Sequence, residues 1–238
     1  MGKSFRSDRS VTSLVLERLP ATLSLAIAAL VIALVIAIPA GLFSAVKSGS
    51  KLDYTVTAAS QFGVSVPDFW AAIMYILLFV LALEWLPPSG YVSPFESFFG
   101  WLEHLVLPAV TVGLISGSIL TRFVRSAVLE SLNQDYVRTA TAKGLSQRTI
   151  VLRHVLPNAA IPIVTVIGLQ LGFLLGGVVV VEYIFAWPGI GRLALTAVDD
   201  RDYTVLQGAV LYLSLTFLVV NLLVDLLYAV LDPRAELT

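Results

Sequence analysis

DYVRTATAKGLSQRTIVLRHVLP, residues 135–157, is the one long charged interval in a chain that is otherwise mostly apolar. Arg138, Lys143, Arg148 and Arg153 carry positive charge there, against the single acid Asp135. Gln134 to Lys143 holds good helix formers and no breaker, and Gly144 suits the left-handed turn that ends such a helix. Ser146 is placed to cap a second helix over Gln147 to Val155, because its hydroxyl can accept a free N–H of the first turn. Pro157 lacks an N–H and disfavours helical geometry at Leu156, so it marks a boundary or a kink. The stretch predicts two short helices with a corner between them.

Outward from it, the chain reads as membrane. Of 238 residues 58% are apolar and 13% charged, and the mean hydropathy is +0.89. A soluble domain of this length needs far more polar surface, so the fold class is an all-α integral membrane bundle. The net charge of −1 leaves no basic surplus for phosphate, and nucleic acid is excluded as a partner. The absence of cysteine rules out disulfides, thiol catalysis and thiolate metal sites. His104 and His154 stand far apart without a carboxylate at ligand spacing, so no metal site and no cofactor are expected.

Residues 1–18 form a polar lead-in without the apolar core of a signal peptide. Leu19 to Val46 carries no charge and is long enough to cross a bilayer with tilt. A second span is placed from near Gly63 to Leu83 with a distortion at Pro67, Trp70 and Trp85 lying near the two interfaces. Glu84 to His104 reads as an external loop. A third span begins at His104 and continues past Arg122 and Arg125. Asn158 to Val181 is the fourth, Glu182 to Val205 a second external loop, and Leu206 to Leu231 the fifth. Residues 19–232 make one domain, and 233–238 a cytoplasmic tail. With the charged loop inside, Lys47, Lys51, Arg122, Arg125, Arg138, Lys143, Arg148, Arg153 and Arg234 are internal, as the positive-inside rule requires. The four cations of the lead-in oppose it. The N-terminus is then outside and the C-terminus inside.

The loop resembles the cytoplasmic EAA loop of ABC-importer permeases. In that family a polar/small/small triplet is followed by a glycine four positions after the last small residue, then by an apolar and proline tail. Here Arg138-Thr139-Ala140 stands at the triplet and Gly144 at the glycine; the acid that names the motif is replaced by Arg138. The run from Arg138 to Ser146, the outer Glu182–Arg192 segment and the Asp232-Pro-Arg ending look most like the dipeptide and oligopeptide permease branch, B type. The resemblance implies the type I importer fold, a plasma (inner) membrane location, a second homologous permease, two ATPase subunits and an external solute-binding protein. It implies that Arg138, Thr139, Ala140, Ala142, Lys143, Gly144, Leu145 and Pro157 belong to a coupling element that docks on an ATPase. It also implies a further transmembrane helix before Gly2-Lys-Ser-Phe-Arg6, so an early-truncated start is expected. Contact with anionic lipid headgroups is the plainer account of the loop's basic residues.

No Gly-x-x-x-x-Gly-Lys-Ser/Thr loop occurs, so ATP hydrolysis is expected elsewhere. No set of residues suits nucleophilic or acid–base catalysis, and the chain is not expected to be an enzyme. Gly168, Gly172 and Gly176 recur every four residues and make a smooth stripe, for intramolecular packing or for a subunit interface or pathway; Gln170 between them is a candidate to face the pathway. Asn221, Asp225, Tyr228 and Asp232 share a helical face. An acid at membrane depth needs a partner or water, and Asp225 is read as a structural hydrogen-bonding or ion-pair residue. Three alternatives stay open: an ion-coupled carrier using Asp225, an inert truncated component, and the same permease class carrying nickel or glutathione.

Overall fold

The computed structural model describes residues 2–231, without the side chains of residues 225 and 227–231. Helix α1, Val11–Val46, begins where the Ser10 hydroxyl accepts the Ser13 N–H, and it runs unbroken through Pro20 and Pro39. The edge expected between residues 18 and 19 therefore falls inside a helix. Its first turns are held by packing rather than by lipid. Val11 and Val15 are fully buried, in a cluster with Ile190, Ala197, Val205 and Ala209 of the outer end.

A turn through Gly49, at φ +78°, leads into α2, Lys51–Ser65, capped by Ser50. The second span departs from expectation. It starts at Lys51 rather than near Gly63, and it bends by 98° between Ser65 and Asp68. Pro67 cannot donate to the preceding turn and holds Val66 extended, so the chain turns a corner there. Helix α3, Asp68–Tyr75, then widens into a π-helical segment, Ile76–Ala82.

Helix α4, Phe98–Leu132, starts six residues earlier than read, because Ser97 caps it by accepting the Gly100 N–H. It runs alongside α1, and the two form the most extensive helix pair. Their seam is made of small residues. Ala26, Ala29, Ala33 and Ala37 of α1 are fully buried. A Cβ on Gly113 would lie 2.8 Å from the Ile32 Cβ and 2.9 Å from the Ala29 carbonyl. In lipid there is no hydrophobic gain when helices meet, so such close backbone approach supplies the attraction.

Helix α5, Asp135–Ala142, lies across one end of the bundle, called the inner end after the orientation expected from the sequence. Helix α6, Gln147–Ile150, passes through a π-helical turn, Val151–Val155, into α7, Leu156–Gly177. Pro157 thus ends nothing: residues 147–176 form one span. The widened turn provides the room, with the Leu156 N–H bonding back to the Val151 carbonyl and Asn158 Nδ2 donating to the His154 carbonyl at 2.6 Å. Short helices α8, Val179–Ile184, and α9, Ile190–Asp199, fold over the outer end before α10, Tyr203–Leu231, returns along α7. Among the described residues, four helices are long and apolar enough to cross a membrane, or five with the bent α2–α3 pair counted as one span. The fold class is the expected all-α membrane bundle.

Candidate functional site

The corner between α5 and α6 is built by local backbone chemistry. Gly144 holds φ +76°; its N–H donates to the Thr141 carbonyl at 2.9 Å, and the Leu145 N–H to the Ala140 carbonyl at 3.3 Å. These two bonds are a Schellman motif, which satisfies the last free carbonyls of α5. Ser146 then caps α6, accepting the Thr149 N–H at 3.3 Å. A Cβ on Gly144 would meet nothing within 4 Å, so the position is restricted by its dihedral angle and not by space.

Two anchors fix this corner to the bundle. Ala140 is buried with Val124 and Val128 of α4, Ala45 of α1, Ile150 and Val155. The Tyr136 hydroxyl donates to the Ser131 carbonyl, and Ser131 Oγ donates to the Val155 carbonyl, each at 3.1 Å, joining α4, α5 and the entry to α7. Ala140, expected to aid a partner's approach, thus faces its own core. Arg138, Thr139, Ala142, Lys143, Gly144 and Leu145 are exposed, and Pro157 is exposed on the other side of the π-helical turn. Arg138 makes only a long, exposed ion pair with Asp135, 3.5 Å.

Beneath the loop lies a second polar group that sequence reading missed. Asp53 of α2 is buried and accepts four donors: Ser44 Oγ at 2.5 Å, the Gly49 N–H at 2.9 Å, and Arg125 Nε and Nη2 at 2.7 and 2.9 Å. The bidentate pair ties the α1–α2 turn to α4 two turns before that helix ends at Leu132. Among the described residues, no group of three His, Cys, Asp or Glu side chains is placed to hold a metal ion.

A profile for the binding-protein-dependent transport system inner membrane component matches residues 37–237. The chain belongs to that family. Among its relatives, the dipeptide transport system permease protein DppB of Alkalihalophilus pseudofirmus is 39% identical over 99% of this chain and 77% of its own. The oligopeptide transport system permease protein AppB of Bacillus subtilis is 40% identical over 97% and 74%. The fold matches the MetNI methionine ABC transporter in an inward-facing form, with TM-score 0.76 at 20% identity over 93% of this chain and 97% of that one. An amino acid ABC transporter gives TM-score 0.66 at 15% identity, covering 94% of both chains. This chain is a permease subunit of an ABC importer.

In this permease the glycine stripe serves two contacts and leaves one position open. A Cβ on Gly168 would lie 2.1 Å from Val224, and one on Gly172 3.0 Å from Phe217, so both admit α10; Gly176 faces nothing within 4 Å. Gln170 points away from α10: it is buried, its Nε2 donating to Ser116 Oγ of α4 at 2.9 Å. Asn221 lies opposite Gly172, its Oδ1 buried without a partner among the described residues. The side chains of Asp225 and Tyr228, and Asp232 as a whole, lie outside the described residues.

At the end of the bundle opposite the α5–α6 corner, Glu182 of α8 is the organising group. Its carboxylate accepts Thr22 Oγ1 of α1 at 2.8 Å and the Arg192 N–H at 2.9 Å, while the Ile190 N–H donates to the same Thr22 hydroxyl. Burial pushes the carboxyl above its usual range, against the bonds that favour its charged form. Gly189 and Gly191 are needed here, because a Cβ would fall 2.0 and 3.0 Å from the carboxylate oxygens. Trp187, fully buried, donates from Nε1 to the Ala21 carbonyl at 2.8 Å. The lead-in is held too: Ser4 Oγ donates to Asp202 at 2.5 Å, and Arg6 pairs with Asp200.

Proposed function

We propose that this permease moves di- or oligopeptides across the plasma (inner) membrane by alternating access, together with a second homologous permease. Two separate ATPase subunits supply the energy, docking at the α5–α6 corner, and an external solute-binding protein delivers substrate at the end built around Glu182. The chain holds no ATPase site of its own. The corner and the C-terminus face the cytoplasm, and residues 2–10 face outward.

The observation that carries this reading is the exposed Schellman corner. It presents Thr139, Ala142, Lys143, Gly144 and Leu145 on two short helices, while Ala140, Tyr136 and Ser131 fasten it to α4 and to the start of α7. A surface that is small, rigid and rooted in two spans suits the transmission of a push. The peptide substrate is supported by the permeases of dipeptide and oligopeptide systems that share about two-fifths of its residues.

Detergent co-purification with the ATPase subunits, comparing wild type and Gly144→Glu, tests the docking. The wild type retains the ATPase and the variant loses it while still inserting. Equal retention by both would remove the corner from the mechanism. ATP-dependent uptake of a labelled dipeptide into proteoliposomes, challenged with nickel and with glutathione, tests the substrate. ATP-dependent uptake of labelled nickel or glutathione, with no dipeptide uptake, would move the assignment within the class. Uptake driven by a proton gradient without ATP would replace it by ion coupling.

A further inference from the structure

A groove runs along the last turns of α1, beside the α5–α6 corner. Leu42, Phe43 and Val46 of α1 form one wall and Val151 and Leu152 the other, around a cavity of about 450 Å³, with Gln147 and Arg148 at its mouth. The apolar surface is open: Phe43 is 56% and Leu152 50% exposed. Lys47, exposed, follows Val46 directly. Among the described residues neither Lys47 nor Arg148 makes an ion pair, whereas Arg125 and Arg138 both have acid partners.

The groove lies where the charge-free interval of α1 ends. Its apolar walls adjoin that interval, and its cations stand just past its end. One occupant matches both halves. An acyl chain needs no hydrogen-bond partner and gains from the apolar walls. A phosphate gains from two cations that have no acid of their own.

We propose that this groove binds one anionic phospholipid of the inner leaflet, acyl chain along Leu42, Phe43 and Val46, headgroup at Lys47 and Arg148. Because Arg148 and Gln147 belong to α6, the lipid bridges α1 to the coupling corner. Its binding is then linked to the movement of that corner, and by reciprocity each affects the other. The proposal rests on the orientation given above. Labelling of a cysteine at Gly49, from one side of the membrane or the other, checks that orientation independently.

The test uses the assembled complex reconstituted into mixed phosphatidylglycerol and phosphatidylcholine, then delipidated and weighed by native mass spectrometry. Wild type retains phosphatidylglycerol in preference to phosphatidylcholine. Each cation near the surface is worth about fivefold in affinity for an anionic lipid, so Lys47→Gln/Arg148→Gln abolishes the preference. Val46→Trp, which fills the acyl groove and keeps both charges, also releases the lipid. Retention by the double variant equal to wild type overturns the proposal. So does displacement of the lipid by glycerol phosphate alone, which would mean a headgroup site without an acyl seat. Absence of lipid from the complex, with the ATPase shielding a cysteine at Arg148 from maleimide, would make the groove a protein interface.

Discussion

At position 144 a side chain has room but the backbone does not welcome one. Left-handed geometry costs a non-glycine residue about 1–2 kcal/mol, and a Cβ there would meet no atom within 4 Å. Gly144→Ala should therefore lower thermal stability slightly and leave ATPase retention near wild type, while Gly144→Glu loses it; equal loss in both would point to strain rather than to the docking surface. Arg125→Ala should be far more damaging. It strands the buried Asp53 carboxylate, and breaking a buried pair costs about 3–5 kcal/mol, read as loss of folded protein in a detergent melting assay. Glu182 carries a pH signature. Its carboxyl is raised in the fold, so its contribution is present at low pH and fades as pH rises through the folded value. Stability around Glu182, followed by hydrogen exchange at residues 182–199, should fall as pH rises above the ordinary carboxyl range, and subtracting the profile of Glu182→Gln isolates this carboxyl. None of these partnerships could be read from the chain alone. Asp53 and Arg125 lie 72 residues apart, and Thr22 and Glu182 are separated by 160. What the sequence did contain was a hint at each: an acid just after a serine cap, and an acid followed by Trp-Pro-Gly.

Among the elements, the α1–α4 seam and the α7–α10 stripe obey the same rule but differ in how visibly they announce it. Gly168, Gly172 and Gly176 stand out by their period in the sequence. Gly113 and Gly117 are spaced alike, and their partner surface is a row of alanines in a helix apolar on every side, where no period distinguishes the buried face. Gly113→Leu would drive a side chain into Ile32 and the Ala29 carbonyl, and should cost at least about 1–3 kcal/mol as overpacking. Gly176→Leu, facing open space, should cost little. Melting temperatures of the two variants, measured side by side, check the contrast; equal effects would mean that the seam is not the tighter contact. Helix starts were legible only where a cap was noticed. Ser146 was; Ser97 and Ser10 were not, which is why α4 and α1 begin earlier than hydropathy suggested. The corner at Pro67 was legible as a distortion, but its 98° was not, since a proline fixes where a helix stops and not where the next one points.

For the molecule as a whole, hydropathy and the distribution of Lys and Arg were enough to read an all-helical membrane bundle, and the single charged loop was enough to suggest its family. The outer end was the least legible region. It reads as loop because its segments are short and mixed, yet α8, α9 and the lead-in pack there around Glu182, Trp187 and Val11. The natural lack of cysteine allows topology to be tested without background. A cysteine at Gly49 should react with an impermeant maleimide only from the cytoplasmic side, and one at the exposed Glu96 only from outside; the reverse pattern would invert the proposed orientation.

The unbroken passage through Pro157 makes α6 and α7 one continuous rod. Thirty residues, Gln147 to Gly176, are about 45 Å of helix at about 1.5 Å per residue. Its short arm lies at the surface an ATPase would grip, and its long arm ends beside the outer helices. A small tilt at the grip would move the far tip through a larger arc than the near end, carried along the Gly168–Gly172 contact with α10. The π-helical turn at Val151–Val155 is where such a rod would give first, and it would set how much of any stroke reaches the far side.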